Sequence, residues 1–201
     1  MNTKIFIGIC NTQDYVPSDF FWSFIGISGH YPTMVYRSRH PWDIVRNNMI
    51  ISQFLKSDCD ILAKMDIDQT YPKDYFERLV PLCHEYKVVG PLIYDRWEEN
   101  NYFPLAFNDV NFNNFPTCLM DISQLHGVVE IPYPHTNLFY HREVIEKLVP
   151  PWYQAYFTDD GLNRLNHVDY TFIEKIHKAG YKIMIDLDCV VGHMVVKFKG
   201  K

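Results

Sequence analysis

Short apolar runs bounded by turn residues predict buried strands along this chain, and stretches with apolar residues three or four apart predict helices. Ile5–Cys10 is the first run, closed by the polar loop Asn11-Thr12-Gln13-Asp14. Pro17-Ser18-Asp19 caps a predicted helix through Phe20, Phe21, Phe24 and Ile25, which Gly26 or Gly29 ends. A short strand is predicted over 33–36. A helix follows over 41–57, with Pro41 at its start, Asp43 in its first turn and Ile44, Ile51 and Leu55 at helical spacing. Asn47 and Asn48 fall near that apolar stripe, where an amide must be bonded to be tolerated. The run Ile61, Leu62, Ala63, Met65 predicts a buried strand that ends at Asp66 and Asp68. Residues 74–86 predict a helix kinked or stopped at Pro81, and 87–93 a strand.

The periodicity then lapses. Residues 96–116 are rich in Asn, Phe and Asp, and predict a long irregular excursion of the kind that binds ligands or covers a site. Its aromatics either pack on the body or stack on a sugar or base. Strands are predicted over 127–131 and 138–140, and a short helix over 142–148 that Pro150-Pro151 ends. The last helix is predicted over 167–179, with Val168, Phe172, Ile176 and Ala179 on one stripe and Gly180 as its stop. Two further strands, 181–186 and 190–191, lead to Gly192-His193. Strands alternating with helices give an α/β class with at least the core of the sheet parallel.

Composition narrows the setting. A chain of 201 residues, 47% hydrophobic and 21% charged, can bury one substantial core and is not of disordered type. The formal charge of −5 provides no general attraction to nucleic acid or anionic membrane. Five dispersed cysteines without a C-x-x-C pair suggest reduced, core-filling thiols rather than a disulfide framework or a zinc knuckle. Neither a leader segment nor a membrane span is expected, and the expected location is cytoplasmic.

The candidate chemistry gathers at Asp66-Ile67-Asp68. Residues i and i+2 of an extended segment share a side, so the two carboxylates are expected to face one hard cation, Mg2+ or Mn2+, with substrate phosphates completing its shell. Asp169, in the first turn of the last predicted helix, is either a helix-start residue or a general base. His193 follows a glycine at a strand end, a place suited to an imidazole ligand as well as to a structural histidine. Lys197, in the basic tail, either neutralises phosphate or is a solvated end.

Several stretches together resemble the GT-A fold, family 2-like, nucleotide-sugar-dependent glycosyltransferases. They are Arg46-Asn47 on a helix, Met65-Asp66-Ile67-Asp68 with Tyr71-Pro72, residues 137–148 with Pro151-Trp152-Tyr153, and the run from Val168-Asp169 through Ala179-Gly180-Tyr181 to Gly192-His193. The resemblance implies a single GT-A domain over 1–201, Rossmann-like, with a mixed, mostly parallel central sheet. It further implies metal ligation by Asp68 and His193, with Asp66 on the metal shell or the ribose. Asn11, Thr12, Arg46 and Asn47 would contact the nucleotide, Lys197 would assist the departing phosphates, and Asp169 would be the base of an inverting transfer. A UDP-sugar is the expected donor, and a glycan, a protein or a modified nucleobase hydroxyl the acceptor, met at 96–116 and around 152–161. The chain departs from the family pattern at Val168, where a glutamate is usual, and at Arg37-Ser38-Arg39, where acidic residues often read the base. Asp66-Ile67-Asp68-Gln69-Thr70 also fits the signature of haloacid dehalogenase-like phosphatases, with Asp159-Asp160 as later ligands. A sugar- or nucleotide-binding module without turnover is the third alternative.

Overall fold

The computed structural model describes residues 3–11, 14–27, 31–94, 103–109, 118–165 and 167–193. In chain order its elements are β1 (Ile5–Cys10), α1 (Ser18–Ile27), β2 (Thr33–Ser38), α2 (Asp43–Lys56), β3 (Ile61–Asp66), β4 (Gln69–Thr70), α3 (Tyr75–Tyr86) and β5 (Val88–Ile93). There follow β6 (Ala106–Asp109), β7 (Cys118–Leu119), β8 (Val128–Glu130), β9 (Tyr133–Pro134), β10 (Phe139–His141), α4 (Arg142–Lys147), α5 (Val168–Lys178) and β11 (Met184–His193).

The main sheet runs β2-β1-β3-β10-β5-β11-β4, with β8 also on β11. β2, β1, β3, β5 and β11 point one way, while β10 lies antiparallel between β3 and β5. Strand alternation sends successive side chains to opposite faces, and each face has its own core. Ile5, Ile7, Ile9, Ile61, Ala63 and Met65 meet Phe20 of α1 and Tyr75, Phe76 and Leu79 of α3. Phe6, Leu62 and Tyr140 meet Ile50, Ile51 and Phe54 of α2 and Phe172 and Ile176 of α5. Full burial of one such side chain is worth about 1.5–3 kcal/mol, so this double layer is the main source of stability. Gly8 lets α2 approach β1: a Cβ there would lie 2.3 Å from Cγ2 of Ile50.

Polar groups fix the joints. Arg142, at the start of α4, donates to the carbonyls of Phe54, Ser57 and Cys59 and so caps the end of α2. Asn48 bonds the backbone of Tyr153 in both directions, Nδ2 to its carbonyl at 2.9 Å and its amide to Oδ1 at 3.1 Å. Arg78 of α3 grips both oxygens of the buried Asp186 at 2.9 and 3.0 Å. Asp186 also accepts the Asp188 amide, at the bulge where β11 shifts register against β5.

Several expectations are revised. α1 continues through Gly26, and α3 continues through Pro81, which lies on an exposed position of the helix. The buried stripe of α2 is Asn47, Ile50, Ile51 and Phe54, rotated from the expected Ile44, Ile51 and Leu55. The segments expected as two strands are one strand, β11, kept continuous by its bulge. Part of the expected irregular excursion is β6, which pairs with β7 and β9 in a three-stranded antiparallel sheet because Ala106 and Phe107 are buried. Residues 96–102 and 110–116 of the excursion lie outside the described residues.

Candidate active site

Parallel strands deliver their C-terminal residues to one edge of the sheet, and an antiparallel neighbour delivers the residues that precede it. The edge therefore collects Cys10 and Asn11 from β1, Ser38 from β2, Asp66 from β3, Tyr94 after β5 and His193 from β11, together with His135, Thr136 and Asn137 ahead of β10.

Asp66 is held rigidly. Its Oδ2 accepts from Asn137 Nδ2 at 2.7 Å, and the Tyr71 hydroxyl bridges its amide and carbonyl, each at 3.0 Å. Gln69, fully buried, accepts from Asn137, and its Oε1 lies 3.0 Å from the Tyr71 hydroxyl oxygen. Asp68 does not share a strand with Asp66 as the i, i+2 argument supposes. The chain turns at 67–68 and re-enters as β4, which pairs with β11 so that His193 faces Gln69. That turn, rather than strand alternation, brings Asp68 Oδ2 to 3.9 Å from His193 Nε2. The Nδ1 of His193 bonds the Tyr94 carbonyl at 3.1 Å. A carbonyl only accepts, so Nδ1 carries a hydrogen, and in the neutral ring the lone pair is then on Nε2, on the side of the carboxylate. Two acceptors facing each other across that span suit a cation between them, with bonds of about 2.1 Å. No cluster of three or more metal-ligating side chains occurs among the described residues. Two protein ligands are nevertheless what Mg2+-type sites employ when phosphate oxygens and water supply the rest.

Asp169 begins α5 at the same edge, its side chain 22% exposed. Its Oδ1 accepts the Thr136 hydroxyl at 2.8 Å, and His167 Nδ1 is 3.4 Å from Oδ2. Thr136 and Asn137 are consecutive, so one dipeptide holds both Asp169 and Asp66. Burial pushes the Asp169 carboxyl up, but Lys64, His167, His135 and the Thr136 hydrogen bond outweigh it and hold the group below the usual carboxylate range. His135 is held below the usual imidazole range by burial first, then by Lys64 and His193, against the pull of Asp66 and Asp169. Burial and the nearby Asp66 push the Cys10 thiol up to about 12. It is protonated, donates to Asn47 Oδ1 at 3.4 Å, and is no nucleophile.

Among the described residues, the remaining expected nucleotide contacts have protein partners around Cys10 or nearby. Asn11 is buried, with its side-chain amide 3.5 Å from the Tyr15 carbonyl. Arg46 donates to the carbonyls of His40 and Pro41, bracing the loop after β2. Asn47 is buried against Cys10. Thr12 and Lys197 lie outside the described residues. Asp159 and Asp160, which a phosphatase would need at the metal, sit in an exposed turn where Asp160 caps the Leu162 amide. Sequence reasoning misses Lys64, Thr136, Asn137 and Gln69. A lysine inside the run Ile61-Leu62-Ala63-Lys64-Met65 is the signal that was available, since a buried strand keeps a charge only where it has partners.

This mixed α/β architecture, with its mostly parallel sheet and an acidic turn at the C-terminal edge of its parallel strands, is a GT-A-like, Rossmann-like fold. No family model matches the chain, and no curated protein matches it in sequence. Among solved structures it is similar to GalNAc-T7 with UDP, GalNAc and Mn2+, with a TM-score of 0.64 and 14% identity over 98% of this chain. The chain spans 44% of that protein's length. It is also similar to A197 from STIV, with a TM-score of 0.60 and 16% identity, covering 96% of this chain and 86% of that one. At these identities the likeness establishes the fold. Among the described residues no helix is long and apolar enough to cross a membrane.

Proposed function

We propose that this protein is a divalent-cation-dependent glycosyltransferase that moves a sugar from a nucleoside-diphosphate sugar, a UDP-sugar foremost, to an acceptor hydroxyl with inversion. The observation that carries the reading is the opposed pair of acceptors, Asp68 Oδ2 and His193 Nε2, 3.9 Å apart at the sheet edge where Asp66 and Asp169 also lie. The fold likeness to a protein described with UDP, GalNAc and Mn2+ supports the same donor class.

In this reading Asp68 and His193 hold the cation, and Asp66, immobilised by Asn137 and Tyr71, flanks it on the ribose side. When bound, the cation offsets the charge that grows on the departing diphosphate. Asp169 takes the proton of the acceptor hydroxyl as that oxygen bonds to the anomeric carbon and the bond from that carbon to the diphosphate oxygen breaks. A carboxylate held below its usual range stays ionised, and so ready to accept, throughout the neutral range.

The test is thermal shift with UDP and UDP-sugars, each with Mn2+ and then with chelator. A ligand at 100 times its Kd adds about 2.7 kcal/mol of stability, and the gain is expected only with metal. Asp68→Ala should abolish it. Asp169→Asn should retain it while lowering transfer at least about 100-fold. Binding that ignores chelator overturns the metal assignment, and an unchanged rate in Asp169→Asn overturns the base. Metal-dependent binding without turnover on any donor identifies a binding module instead.

A further inference from the structure

Lys64 sits mid-strand in β3 with 2% of its surface exposed. A buried ammonium is costly unless hydrogen bonds and an opposite charge compensate it. Its nitrogen donates to two hydroxyls, that of Tyr153 at 2.6 Å and that of Thr136 at 3.3 Å, and both side chains are themselves buried. The two hydroxyls take two of its three N–H donors and supply no opposite charge. One bond further along stands an anion: the Thr136 hydroxyl donates to Asp169 Oδ1 at 2.8 Å. A hydroxyl that accepts from an ammonium must turn its own hydrogen elsewhere, so the chain has one direction, from ammonium to hydroxyl to carboxylate. Each bond in such a series polarises the next. The two anchors of the series are rigid. Lys64 is fixed by strand pairing on both sides of β3, and Tyr153 is stacked on Phe172 of α5 with ring centroids 4.4 Å apart.

We propose that Lys64, acting through Thr136, is the positioning residue of Asp169, orienting the carboxylate by its Oδ1 and leaving Oδ2 for the acceptor's proton. The catalytic half of this statement rests on the reading of Asp169 as the base. The electrostatic half stands on the geometry alone. Asp169 is faced by Lys64 from β3, by His135 and Thr136 ahead of β10, by His167 ahead of α5, and by the phenols of Tyr140, Tyr153 and Tyr170. Of the cationic or ionisable nitrogens among these, Lys64 alone reaches the carboxylate through a buried hydroxyl. His167 is 44% exposed, and its attraction is accordingly open to solvent screening.

The experiment is a 13C-carboxyl NMR titration of the intact, aspartate-labelled protein, with the Asp169 signal assigned by its loss in Asp169→Asn. A His167→Gln background removes the nearby imidazole. Lys64→Met keeps the side-chain volume and removes the charge, and Lys64→Gln keeps an N–H donor without it. In both, the Asp169 midpoint should rise by at least about one unit. Thr136→Val should raise it as well, and the double variant Lys64→Met with Thr136→Val should raise it no further than the larger single change, because the two act in series. Midpoints unmoved in the Lys64 variants, or shifts that add, overturn the proposal. If neither Lys64 variant folds, an unmoved midpoint in Thr136→Val overturns it equally.

Turnover is then read on the same variants with UDP-sugars and Mn2+. The acid limb of kcat should move up in step with the NMR midpoint, while KM for the donor stays within about twofold. A moved midpoint with no turnover in the unaltered protein refutes the transferase reading and leaves the electrostatic link intact. Turnover with an unmoved midpoint refutes the link alone.

Discussion

Replacing Arg78 by methionine isolates the joint beside the bulge of β11. The guanidinium of Arg78 makes two bonds to Asp186, whose side chain is 4% exposed, while that of Arg78 is 33% exposed. Arg78→Met therefore leaves a carboxylate buried with only the Asp188 amide as a hydrogen-bond partner in that joint. Breaking a fully buried pair from one side costs about 3–5 kcal/mol. The partial exposure of Arg78 admits water, which puts the expected loss near the lower limit, at about 3 kcal/mol. For a chain of this size that is a fall in Tm of about 6–12 °C, or of about 1–2 M in the urea midpoint. Urea denaturation followed by circular dichroism measures it. The reasoning also requires a double-variant result: Arg78→Met with Asp186→Asn should cost less than the two single losses added together, by at least about 1 kcal/mol, because no stranded charge remains. A loss in Arg78→Met below about 0.5 kcal/mol, or additivity in the double variant, would refute the account of this joint.

Two further outcomes are expected. Asn48→Ala removes the side chain that bonds both the amide and the carbonyl of Tyr153, and should cost about 2–4 kcal/mol while the Tyr153 amide gains hydrogen exchange; an amide that stays protected would contradict the role given to Asn48. Because the folded protein holds the Asp169 carboxyl below its unfolded value, its contribution to stability is complete above about pH 4 and is lost as pH falls through the folded midpoint. The stability gap between the unaltered protein and Asp169→Asn, measured by urea denaturation, should accordingly narrow as pH is lowered below about 4, and a gap that widens there would reverse the sign of the argument.

The fold was legible where burial is two-sided. The runs that became β1 and β3 are apolar on nearly every position that meets a helix layer, Lys64 excepted, and their boundaries coincide with the polar residues that follow. What a single strand cannot reveal is its neighbour. The sequence 138–140 predicts a strand, but its antiparallel slot between β3 and β5 depends on pairing partners far away in the chain. That slot is also what turns His135-Thr136-Asn137 into part of the candidate site, so the site was only half visible for the same reason. Asp66 and Asp68 were found by a pattern whose proposed geometry does not hold, since a turn and the pairing of β4 with β11 replace the extended spacing. Lys64 went unread because attention to the apolar positions of β3 passed over the one that is not. The rotated stripe of α2 has a local cause: Asn47, which the sequence sets near the apolar stripe but outside it, is buried against Cys10.

The place of β10 has a consequence for how the chain reaches this state. β3 and β5 are both made before β10, yet neither is adjacent to the other in the finished sheet; each presents an unfilled edge until residues beyond 138 are synthesised. At ordinary elongation rates that interval is on the order of seconds, during which two highly apolar strands are open to pairing with foreign chains. The segment that fills that slot is the same one that carries Thr136 and Asn137, so the nascent chain cannot complete its candidate site before the gap between β3 and β5 is sealed.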